Sequence, residues 1–257
     1  MESTATSVEE ELHDAIRENH VARAKEILRQ SPQLDINWEN PFDYDGLGRA
    51  ALHSTCQFAR HDLLVLLLAH PDINVGKRDG AGSTAFMAAC HAGNPAIVRR
   101  MLVDARVQVN EPDDSGRTPL HVAAHWGHVD AIKWIIVSGR HLELGESGSE
   151  IDALGEARKK GHGEVVAVLE KFKRDRALTM KELRRELGVH GELLPVTPLS
   201  SPPPLVLLLG VLGAGFLSFF FMTFTTFVDF PLVEPLTMTK KQYKDHLEGK
   251  VVMSEGN

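Results

Sequence analysis

Three histidines, His121, His125 and His128, fall within one short stretch. Residues four apart on a helix share a face, so His121 and His125 have the spacing of two zinc ligands. A zinc-protease pattern needs a glutamate directly after the first histidine, and Val122 stands there. Without that carboxylate or a further ligand nearby, the trio reads as structural. Cys56 and Cys90 are the two cysteines of the chain, 34 residues apart, in no C-x-x-C pair that would make a metal knuckle or a redox dithiol. Ala124 follows at the same spacing, which marks all three as small spacers in a core, where a thiol is inert. Acidic clusters such as Glu9-Glu10-Glu11 and Asp113-Asp114 fall where helices start or chains turn. No serine sits in a G-x-S-x-G elbow and no G-x-x-x-x-G-K-[ST] loop appears. The expectation is a protein that is not an enzyme and uses no cofactor and no metal.

The same residues mark a repeat. GRAALHSTCQFAR (48–60), GSTAFMAACHAGN (82–94) and GRTPLHVAAHWGH (116–128) align without a gap at a spacing of 34 residues, and Leu154, Gly161 and His162 continue the phase. Thr118 before Pro119 is a helix start: a threonine hydroxyl can accept from the free N–H groups of the first turn, and proline has no N–H to leave unpaired. Small residues follow (Ala88, Ala89; Ala123, Ala124), which allow two helices to approach closely, and Gly127 closes the helix where positive φ is needed. HDLLVLLLA (61–69), PAIVRRMLV (95–103) and VDAIKWII (129–136) then carry apolar residues at helical spacing, predicting a second helix folded back on the first. Such a pair cannot bury its own apolar face and must stack on its neighbours as a solenoid. INVGKRDGAG (73–82) and VNEPDDSG (109–116) suit projecting turns.

These residues resemble the ankyrin repeat family, whose T-P-L-H-x-A signature stands intact from Thr118 to Ala123. The second copy has Ala50-Ala51 and the third Thr84-Ala85 in place of Thr-Pro, with Met87 in place of the histidine. The resemblance implies an all-α, ankyrin-repeat solenoid of four to five helix-turn-helix repeats over residues 9–172 (about 9–40, 45–77, 79–111, 113–144 and 147–172), after an N-terminal tail, 1–8. The first unit acts as a cap, separated from the next by about six extra residues, and the last exposes Lys159 and Lys160 as a closing cap should. It implies that His121 bonds loop backbone and that His128 holds the Gly-His turn position. It implies too that a partner protein binds through turn tips and the exposed face of the first helices. Those positions hold Leu47, Arg49, Gln57, Phe58 and Ala81, then Ser83, His91 and Ala92, then Asp114, Ser115, Arg117, His125 and Trp126. Phe58 and Trp126 stand out as large aromatics that stacking does not require, with Arg117 beside them as a directional donor.

Residues 173–187 read as a basic helical extension of the last repeat, with a solvated face, and 188–204 as a Pro/Ser linker. Leu205–Val228 carries no charge and is long enough for a single transmembrane helix, followed by a tail, 229–257. It resembles a tail anchor that leaves the repeats in the cytosol and Asp229–Asn257 across the membrane. The short-loop charge rule points the other way, because Lys240, Lys241 and Lys244 follow the run closely. A change of exon in the gene would be another source of the apolar run. The 257 residues are 43% hydrophobic and 25% charged, with a net charge of -7, so no excess of positive charge draws nucleic acid. No signal peptide opens the chain, and the unpaired cysteines suit a reducing compartment, so the repeats are expected in the cytoplasm or nucleus. The resulting expectation is a protein-interaction scaffold or adaptor, tethered to a membrane through its C-terminal segment. The alternatives are the regulatory arm of a membrane enzyme or transporter complex, and a soluble structural repeat protein.

Overall fold

A computed structural model of the protein describes residues 7–43, 46–145, 152–189 and 238–249. The apolar run Leu205–Val228 and nearly all of the Pro/Ser linker lie outside them. Among the described residues no helix is long and apolar enough to cross a membrane. Five helix pairs follow one another: α1 (Val8–Arg17) and α2 (Val21–Gln30), α3 (Ala51–Gln57) and α4 (His61–Leu68), α5 (Ala85–Ala92) and α6 (Pro95–Val103), α7 (Pro119–Trp126) and α8 (Val129–Val137), α9 (Ala153–Lys160) and α10 (Gly163–Arg174). The first helices pack side by side as an inner row and the second helices as an outer row. Extended pairing within the described residues is limited to isolated bridges, such as Arg78 with Thr84, at the turns between pairs. The fold is an all-α helical repeat.

Local chemistry explains each start and stop. The chain enters α1 through Ser7, whose side chain and Glu10 form a reciprocal capping box. Thr118 leads into α7 with Pro119 at the first position, and His121 Nδ1 accepts from the Thr118 backbone N–H at 3.2 Å and lies 2.7 Å from its hydroxyl. Thr84 does the same work alone in α5, accepting from the Met87 N–H at 3.3 Å. At the other end α7 stops on Gly127, φ 75°. A Cβ there would be strained in that conformation and would lie 2.6 Å from His162 Nδ1. His162 is held in place by its Nε2, 2.9 Å from the His125 carbonyl. Gly93 stands in the same relation to His128, whose Nε2 lies 3.0 Å from the His91 carbonyl. In the second pair the left-handed place is taken by Ala59, φ 54°. The residue one repeat later is Asn94, which turns to its own helix and accepts from the Ala96 and Ile97 N–H groups at 3.0 and 3.3 Å. Ala59 therefore has no ring lying against it from the next repeat.

Polar side chains carry the register from repeat to repeat. Arg60 donates to the Arg17 carbonyl at 2.7 Å, bridging the extra residues after the first unit. His53 Nε2 lies 3.1 Å from the Ser83 carbonyl, a loop contact of the kind expected at the signature position. Arg106 and Arg140, one period apart, satisfy the free carbonyls at the ends of the preceding outer helices, donating to Leu68 O at 3.0 Å and Leu102 O at 2.9 Å. Burial drives the rest. Fully buried Leu64, Leu67, Ile97, Met101, Ile132 and Ile135 fill the outer row, each contributing about 1.5–3 kcal/mol. Cys56 and Cys90 are wholly buried between inner helices, and the loss of solvation pushes both thiols up, out of reach of ionisation.

The C-terminal third differs from the sequence expectation in two places. The basic stretch after the repeats is not a continuation of α10: Asp175 leaves helical geometry and caps a separate helix, α11 (Arg176–Glu186), accepting from the Leu178 N–H at 2.9 Å. α11 turns back on α8 and α10, burying Thr179 and Leu183 and pairing Lys133 with Glu186 at 2.7 Å, so one of its faces is packed and the other solvated. Thr179 and Leu183 are four positions apart, on one face of the helix, and burial of that face outweighed the surrounding charge. The second difference is α12 (Lys240–Leu247), which lies within the expected tail and packs against α2.

Candidate protein-binding groove

The groove is built from turns held rigid by buried aspartates. Asp79 Oδ1 accepts from the Ala81 and Ser83 N–H groups, both at 2.9 Å, and Asp113 Oδ1 from Ser115 and Arg117, also at 2.9 Å. These are Asx turns, in which a short side chain replaces a backbone acceptor. Each spare carboxylate oxygen takes an arginine. Arg49 Nε lies 3.6 Å from Asp79 Oδ2 and Arg49 Nη1 3.4 Å from Asp43, while Arg117 Nη2 lies 2.8 Å from Asp113 Oδ2. Arg49 is buried in its pairing; Arg117 keeps half of its side chain in solvent.

Between these turns and α3, α5 and α7 lies a concavity of about 350 Å³. It is lined by nine of the residues expected from the sequence: Leu47, Arg49, Gln57, Ala81, Ser83, His91, Arg117, His125 and Trp126. Trp126 is 51% exposed, with its ring in edge contact with His91 at 4.9 Å and with His125 at 5.2 Å. His125 Nδ1 lies 2.8 Å from Glu156 in the next repeat, and this contact holds the Glu156 carboxyl below its usual range. His91 is held below the ordinary histidine value, first by partial burial and then by the neighbouring groups Arg49, His128, His125 and Arg117. What this arrangement offers is recognition: an aromatic edge, imidazole nitrogens and one half-free guanidinium over a floor of small apolar groups.

Four expected residues lie apart from it, one of them Ala92 at the end of α5. Phe58 caps the end of α3 beneath the Arg60 guanidinium, 6.0 Å from its centroid. Asp114 is tied to Arg78 at 2.9 Å, and Ser115 sits on the turn tip. Conversely, Met87, Ala88, Asp79, Asp113 and Val122 also line the groove and were missed. Met87 carried a signal, since it departs from the histidine at positions 53 and 121, but a departure from signature does not by itself say that a side chain faces a cavity. The three histidines spaced like zinc ligands are directed to three separate partners: His121 to Thr118, His125 to Glu156 and His128 to His91. Among the described residues no group of three His, Cys, Asp or Glu side chains is placed to hold a metal ion.

No curated protein matches the chain. A family model described as ankyrin repeats, in three copies, matches residues 52–146, the stretch from α3 through α8 that carries nearly all of the groove. Ankyrin repeat domains are in general protein–protein interaction modules, and the family is typical of non-catalytic binding proteins. With the 34-residue phase, the helix pairs and the Thr-Pro-Leu-His start all in place, residues 52–146 of this chain are ankyrin repeats.

Proposed function

We propose that the protein is a non-catalytic scaffold or adaptor that holds another protein in the groove between the turns and the inner helices. The observation that carries this reading is Trp126: a half-exposed indole, steadied by two histidines, at the rim of a 350 Å³ concavity beside the half-free guanidinium of Arg117. Such anchors dominate binding energy where they are found at interfaces. Capture of the partner by full-length protein, beside Trp126→Ala and Phe58→Ala variants, tests it. Trp126→Ala loses the partner and Phe58→Ala, outside the groove, retains it; full recovery with Trp126→Ala would overturn the assignment.

The same reading includes a membrane tether with the repeats on the cytosolic side, supported by the uncharged run Leu205–Val228 and by the two reduced, buried cysteines. Carbonate extraction of the full chain distinguishes a tethered protein, which stays with the membrane, from one that is released.

A further inference from the structure

The outer face of the first two repeats carries a second contact, made by the chain's own C-terminal segment. Thr239 and Gln242 form a capping box at the start of α12. Tyr243 is buried with its ring edge-on to His70 at 4.8 Å, Met238 is buried beside it, and Leu247, one turn on, packs against the same core. Lys240 Nζ lies 2.8 Å from Asp72 Oδ2. Eight residues are too few to hold a helix in water by themselves, so the order of α12 comes from this packing. The surface it meets, Leu28, Pro32, His70 and Pro71, lies on α2 and the end of α4, on the outer row and away from the groove of α3, α5 and α7. A concavity of about 390 Å³ stays open beside it.

We infer that the outer face of the first two repeats is a binding site for an amphipathic helix, filled in cis by residues 238–249, and that the filled site keeps the C-terminal tail on the same side of any membrane as the repeats. A bilayer cannot pass between α12 and α2 while Tyr243 is buried against His70. A single crossing of the chain between residues 189 and 238 and the docked helix therefore exclude one another. The charge pattern agrees independently: Lys240, Lys241 and Lys244 are the bias that retains a short segment on the cytosolic side. The docked helix is therefore incompatible with a tether that crosses the membrane once, and the inference holds whether or not the chain meets a membrane. Tyr243 also supplies an internal control, because its buried hydroxyl has no hydrogen-bond partner among the described residues; the ring docks and the oxygen adds no favourable contact there.

Hydrogen exchange on the full-length chain tests the docking. In Tyr243→Lys, amides of residues 27–32 and 69–73 exchange at least about fivefold faster, while α5 and α7 are unchanged; Tyr243→Phe keeps the wild-type protection. Equal exchange in wild type and Tyr243→Lys overturns the inference, and protection that is lost on dilution assigns the site to a helix from a second copy and overturns the cis arrangement. Sidedness is read by an impermeant maleimide on intact microsomes, with the native thiols silent through burial. Lys241→Cys labels without detergent, as Lys159→Cys on the repeats does; labelling of Lys241→Cys only after detergent overturns it.

Discussion

The inner and outer rows of helices are made of different residues for different ends. Where α3, α5, α7 and α9 meet, the contacts are Ala51, Cys56, Ala89, Cys90, Ala123 and Ala157, all essentially without exposure. Where α4, α6 and α8 meet, they are Leu63, Leu67, Val98, Met101, Ile132 and Ile135. Small residues let the inner helices close on one another, and large ones fill the space behind. The inner row adds a large buried side chain in each repeat, Leu52, Phe86 and Leu120, and holds the groove; the outer row carries more of them and holds the stack together. Binding and stability are thus separated by a helix diameter, and each can be perturbed without the other.

The largest effect expected is on the outer row. Ile135→Ala leaves a cavity and costs about 2–5 kcal/mol, read as a lower urea midpoint for the whole solenoid. Ala123→Leu breaks the inner row in the opposite sense, by overpacking, at about 1–3 kcal/mol, and unlike the outer-row change it also weakens partner capture out of proportion to stability. Acid should act chiefly through buried histidines. His53, between α3 and the next turn, and His13 in α1 are both held below the ordinary value of 6.5 by burial. A depressed histidine is charged in the unfolded chain before it is charged in the folded one, so its contribution is complete above about 6.5 and declines as pH falls below that. Unfolding midpoints measured from pH 7.5 to 5 therefore drop, and the slope is shallower in His53→Gln. The smallest effect on stability belongs to Trp126→Ala, within about 0.5 kcal/mol, although it abolishes partner capture. If that variant unfolds the protein, the separation of the two rows is wrong.

The period, the helix pairs and the start at Thr118 were legible because each rests on local chemistry: a hydroxyl, a proline, a left-handed glycine. Nine groove-lining residues were legible because the repeat phase places equivalent positions on one surface. The break at Asp175 was harder, since an acidic residue inside a basic helical run has the composition of a solvated helix, and only the fold shows that Thr179 and Leu183 find α8 and α10. Docking of α12 had no periodic signal at all. Tyr243 and Leu247 are four apart, but their partners, Leu28 and His70, lie more than half a chain away. Phe58 occupies one of the positions the resemblance implies and is a large aromatic, yet at the end of α3 it lies outside the groove.

The glycine and histidine contacts between neighbouring repeats bear on how such an array can be copied or rearranged. Gly93 has His128 lying against it and Gly127 has His162, whereas Ala59 is followed one repeat later by Asn94. Each unit is therefore fitted to the identity of its successor. Deleting the third repeat, so that the fourth follows the second, would bring the His128 ring onto the Cβ of Ala59, and the joint would accept the shorter array only with glycine in that place. Duplicating the fourth repeat in tandem sets Gly127 before a second His128 and requires no such repair. Units that look alike in sequence thus follow rules of adjacency, and the array grows more readily from its C-terminal half than from its N-terminal half.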